Sequence, residues 1–278
     1  MKQTFKQFFN LFCEAALTDD EMEELKKRIL DYLQKYPKAL KISKQAIKFA
    51  ILQLRDVHPP IYYTLLSQFT IVPRSNIDTM GVDEKGNLSY NPMFVVDWLL
   101  QMSDNLDGEP NQQGLERLKG VLVHEAMHVI NSTFERMKQT HPHSAQRIEM
   151  EKEEHKDYTI HTIGNYAYDL VINRDLLLDG YTLPETGIIP VFDPPLSQYN
   201  SDKHVDRKAY FTFDFTTKKD DKHDIRKFDI TKFSAEKCFY MFAIAIQRMT
   251  NKLFNQGMIT KQQHAQTIKF LDEVINDE

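Results

Sequence analysis

Val121-Leu122-Val123-His124-Glu125-Ala126-Met127-His128-Val129-Ile130 is the stretch on which the reading of this chain turns. Two histidines four apart on a helix lie on one face and can offer two imidazole nitrogens to a single tetrahedral ion. Glu125 projects roughly 100° round the axis, so its carboxylate addresses a water beside the ion instead of the ion itself. The apolar residues on both sides belong to a longer pattern: Leu115, Leu118, Leu122, Ala126 and Val129 recur at spacings of three and four, which predicts a helix from Gly114 to about Met137. The competing explanation is a hydrogen-bonded core cluster of two histidines and an acid. Burying those three groups without a common partner is costly, which favours a metal.

A catalytic zinc, one per chain, needs a third protein ligand and an open fourth position. A glycine-and-histidine extension after His128 is excluded, because Asn131-Ser132-Thr133-Phe134 stands there. The better source is a helix predicted over 159–178, in which Asn165, Asp169 and Asn173 share one face among apolar neighbours. Asp169 as ligand, with Asn165 and Asn173 hydrogen-bonding around it, gives all three polar groups a use. Taken alone, Asp169 could equally pair with Arg174. His161, His155, Asp157 and Glu154 are rival ligands in a more highly charged stretch, and His141 and His143 flank Pro142 in a solvated loop. A phenol facing a developing oxyanion would come from Tyr166, Tyr168 or Tyr158.

Around this centre the expected class is α+β, mostly helical with a small mixed sheet over the histidine-bearing helix. Helices are expected over 18–36, capped by Thr18 and closed by Pro37, and over 43–56. Short strands follow at Phe69–Val72, Asp78–Val82 and Leu88–Tyr90, the last two joined by a turn at Glu84-Lys85-Gly86-Asn87. A short helix carries Phe94, Val95, Trp98 and Leu99. Residues 135–157 read as a charged, solvated helix or excursion, 185–229 as polar loop, and 234–277 as two closing helices. The whole is expected to form a single domain, 1–278, with an N-terminal helical region (1–60), a catalytic core (61–190) and a C-terminal loop and helices (191–278).

Composition removes several alternatives. With 35 basic against 40 acidic residues the net charge is -5, and Lys218-Lys219-Asp220-Asp221-Lys222 is charge-balanced, so no basic stripe calls for nucleic acid. The 2 cysteines, Cys13 and Cys238, cannot build a disulfide scaffold, which reads as a reducing, cytoplasmic setting. The N-terminal apolar stretch is interrupted by Lys6, Gln7 and Asn10, a poor signal peptide, and no run is long enough to span a bilayer.

Four blocks in order carry a family resemblance: Asp78–Asp83 with Gly86–Phe94, then VLVHEAMHVI, then Asn165–Asn173, then Ser234-Ala235-Glu236-Lys237. They resemble the HExxH metallopeptidases commonly joined to, or encoded beside, a von Willebrand factor A-like domain. The resemblance implies a zincin-like fold, intracellular action, and the aspartate of the second helix as a site residue. Two departures are a missing histidine shortly after the pentapeptide and a long linker between the two ligand helices. The missing partner module suggests a stand-alone form, as carried by a bacteriophage. The expected activity is zinc-dependent hydrolysis of a protein or peptide substrate held along an edge strand at 87–90, with Glu125 as general base. The alternative is an inactive zincin-like scaffold that binds a regulatory or phage-assembly partner.

Overall fold

The computed structural model describes residues 19–56, 60–102, 106, 110–140, 160–185, 187–196, 207–220 and 222–275. The chain divides into two compact units, Met1–Asn131 with Gly180–Pro184, and Ser132–Asp179 with Glu185–Glu278. The class is α+β with small sheets, as expected.

In the first unit, α1 (Asp19–Gln53) runs unbroken through Pro37, where two helices were expected. Proline removes one intrahelical bond, to the carbonyl of Leu33, at a cost of about 3 kcal/mol. Leu33 is exposed, so water can take that carbonyl, and beyond Pro37 the helix buries a stripe of Ala39, Ser43, Ala46, Ile47 and Ala50. Thr18 lies outside the described residues. After α2 (Ile61–Leu66) come β1 (Thr70–Pro73), β2 (Met80–Val82) and β3 (Asn87–Tyr90). The β2–β3 hairpin forms as read, with Gly86 at φ 75° in its turn.

Strand order corrects one expectation. β3 lies in the middle, parallel to β1 and antiparallel to β2. Residues 87–90 are therefore paired on both sides and cannot receive a substrate strand; Leu88 and Tyr90 are fully buried instead. The edge beside them is β2.

Asn91 caps α3 (Pro92–Phe94), which passes into a π-turn at Val95–Leu99. Asn111 caps α4 (Gln112–Ile130) by accepting from the Gly114 amide at 2.6 Å. Leu118, Leu122 and Ala126 are fully buried along it, and Leu115 nearly so. The helix stops earlier than expected, because Ser132 adopts φ 50° and separates it from α5 (Thr133–Thr140). Segment Gly180–Pro184 packs onto α2 and α4: the Tyr181 ring meets Tyr62 of α2 edge-on, and the Thr182 carbonyl lies where a Cβ at Gly120 of α4 would clash with its oxygen.

The second unit holds α5, α6 (Ile160–Leu178), β4 (Val191–Asp193), β5 (Lys208–Asp214), β6 (Ile225–Asp229), α7 (Ala235–Asn255) and α8 (Lys261–Ile275). Residues 185–229, read as loop, contain an antiparallel sheet β4-β5-β6. Its signal is the alternation Ala209, Phe211, Phe213, which turns one face of β5 towards Phe242 of α7. Ile163, Ala167 and Leu170 of α6 join Cys238, Phe239 and Phe242 in the same core. Most of the charged excursion at 135–157 lies outside the described residues.

Candidate metal centre

The regular turn of α4 brings His124 and His128 together with their Nε2 atoms 3.0 Å apart. Two nitrogens bound to one tetrahedral zinc at about 2.0 to 2.1 Å would stand about 3.3 Å apart, so the pair is already close to a ligating separation. A shared N–H···N hydrogen bond also spans 3.0 Å. It would use those two nitrogens and no carboxylate. Asp169 adds a third possible donor: its carboxylate and both imidazoles have ligand atoms within 4.8 Å of one another, the one such His/Cys/Asp/Glu grouping among the described residues. Two imidazoles and a carboxylate are a donor set suited to zinc and its neighbours.

Glu125, buried between the histidines in sequence, turns to the sheet. Its Oε2 accepts the Val82 backbone N–H at 2.9 Å. That amide is available because β2 is an edge strand. Thr79 and Asp83 exchange hydrogen bonds with β3, through Asn91 N–H to the Thr79 carbonyl and Asp83 N–H to the Asn87 carbonyl. Alternation along the strand then turns the amides of Met80 and Val82 outwards. Sequence carried no sign of this contact, which spans forty-three positions.

The remaining expected residues fall differently. Arg174 directs Nε to Asp175 and Nη1 to the carbonyls of Ile230 and Phe233, so these contacts tie it to other partners than Asp169. Asn173 is buried and donates to the Ile188 carbonyl at 2.9 Å, while Asn165 is half-buried on the same helix. Tyr168 is 4% exposed and donates its hydroxyl to Glu236, and burial, then the adjacent Glu236 charge, pushes the phenol well above its usual range. Tyr166 is half-exposed beside Phe242. His155, Asp157, Glu154, Tyr158, His141 and His143, and the side chain of His161, lie outside the described residues.

A family described as "Putative metallopeptidase domain" matches residues 43–203. The chain belongs to that family. The match takes in β1 to β3, the His124-Glu125-Ala126-Met127-His128 run and Asp169, so the family's description and the grouping of possible ligands concern the same part of the sequence. A peptidase domain implies a peptide substrate. No curated protein and no solved structure matches the chain. Among the described residues, no helix is long and apolar enough to cross a membrane.

Proposed function

We propose that this metallopeptidase-family chain is a zinc peptidase of the HExxH type, with His124, His128 and Asp169 as metal ligands and Glu125 as general base. The observation that carries the reading is the approach of those three ligand groups to within 4.8 Å, with a buried carboxylate one residue from the first. Bound zinc would supply a Lewis acid for the scissile carbonyl and lower the pKa of a water towards neutrality. Glu125 accepts the proton of the attacking water and delivers it to the leaving amine. The Val82 amide, holding Oε2, fixes the plane of the carboxylate and so aims its other oxygen. Asn165 and Asn173 belong to the surroundings of Asp169, and Tyr166, more open than Tyr168, is the phenol proposed to meet the oxyanion.

The peptide would lie along β2. Met80 turns its N–H and C=O outwards from the sheet and Val82 its C=O, while the Val82 N–H serves Glu125. Strand addition at such an edge holds an extended backbone with little regard to side chains. The test is Glu125→Gln. Elemental analysis should find zinc retained, and cleavage of an unfolded protein substrate should fall about 10²- to 10⁴-fold, the range for loss of general acid–base help. Cleavage at the wild-type rate by the zinc-loaded variant would refute the assignment.

A further inference from the structure

The block Ser234-Ala235-Glu236-Lys237 has no part in the chemistry above, yet it sits where three helices are tied together. Ser234 caps α7 by accepting from the Lys237 amide, which places Glu236 in the first turn. One oxygen of Glu236, Oε1, accepts from Arg136 Nε at 3.1 Å, Arg136 Nη2 at 2.6 Å and the Tyr168 hydroxyl at 3.1 Å. The Arg136 guanidinium also lies 5.4 Å from the centre of the Tyr168 ring. Thus α5, α6 and α7 converge on a single carboxylate oxygen, and the residue held on α6 is the one before Asp169.

We propose that Glu236 is a positioning residue for the metal site, fixing the rotation of α6 through Tyr168 and thereby the aim of Asp169. The inference rests on the reading of Asp169 as a ligand. Adjacent helical residues turn together, so whatever pins Tyr168 pins Asp169. A side-chain atom some 5 to 6 Å from a helix axis moves roughly 2 Å for a 20° rotation, whereas metal–ligand distances tolerate only about 0.2 Å. Apolar contacts between Ala167 or Leu170 and α7 resist separation of the helices but are permissive towards such a roll. A directional hydrogen bond from a buried phenol is not.

The experiment measures zinc affinity by competition with a chromophoric chelator on full-length protein, in variants whose far-UV circular dichroism matches wild type. Tyr168→Phe, which keeps the ring, and Glu236→Ala should each weaken zinc binding about 10- to 100-fold, the range for residues that support ligands. Glu236→Gln keeps an acceptor oxygen and should recover most of the affinity. In an Asp169→Ala background, Glu236→Ala should cause no further loss. Gln256→Ala, which removes hydrogen bonds to Thr217 and Asp220 in the same unit, should lower Tm without touching zinc affinity. Wild-type affinity in folded Tyr168→Phe and Glu236→Ala would overturn the positioning role and leave the ligand assignment standing. A wild-type chain that takes up no zinc would overturn both.

Discussion

Helix α4 and the core around α7 both carry polar groups among apolar neighbours, and they employ them in opposite ways. In the second unit the buried polar groups reach main-chain or fastening partners: Arg174 goes to the carbonyls of Ile230 and Phe233, Asn173 to that of Ile188, and Tyr168 to Glu236. On α4, His124 and His128 turn towards each other, and Glu125 goes to the outward amide of an edge strand. Groups spent on carbonyls hold a fold together. Groups gathered at one point, with a carboxylate beside them, could hold an ion.

The largest effect expected from this contrast is on metal content. His128→Ala should reduce zinc from one ion per chain to none detectable by elemental analysis, with the metal-free protein still folded; full stoichiometry in that variant would erase the distinction. Arg174→Met should do the reverse. Removing the cation takes a donor from the buried Ile230 carbonyl and from that of Phe233, and should cost about 1 to 3 kcal/mol in urea unfolding, with zinc stoichiometry unchanged. If zinc is lost while stability holds, the contrast is wrong.

Gly120→Ala probes the helix itself. The added Cβ would clash with the Thr182 carbonyl oxygen, so segment 180–184 must move. The expected loss is about 1 to 3 kcal/mol, as for other overpacked sites, read as a lower urea midpoint. A midpoint at or above wild type would show that Gly180–Pro184 yields freely.

The smallest effect concerns pH. Lys252 bonds Asp220 and Asp224, and the Lys252 hydrogen bond, with that of the Thr217 amide, holds Asp220 down from 3.8 to about 2. A depressed carboxyl contributes stability that is complete above its unfolded value and fades as pH falls through its folded one. The Tm gap between wild type and Lys252→Met should therefore be present at pH 7 and shrink between about pH 4 and 2. The raised Lys252 predicts the mirror-image loss at strongly alkaline pH. A gap unchanged down to pH 2 would remove the ion pair from the account.

What could be read without coordinates was local. His124 and His128 face the same way because a helix repeats every 3.6 residues, and this holds wherever the helix is packed. The β2–β3 turn follows from Gly86, and the extent of α6 from its apolar periodicity and Gly180. Pro37 misled because its local cost is real, but the one carbonyl it orphans, on exposed Leu33, is open to water. The sheet at 191–229 was missed because Ala209, Phe211 and Phe213 alternate over too short a span, among Lys, Thr and Asp, to stand out from loop.

The sequence by itself determined which residue types could hold a metal and that two of them share a helical face, since i, i+4 geometry needs no distant partner. Tertiary structure decided that β3 lies inside its sheet, that β2 offers the free amide to Glu125, and that Glu236 grips Tyr168. Those are contacts between segments far apart in the chain. Strand order and helix rotation are set by how whole elements pack, and no window of neighbouring residues contains them.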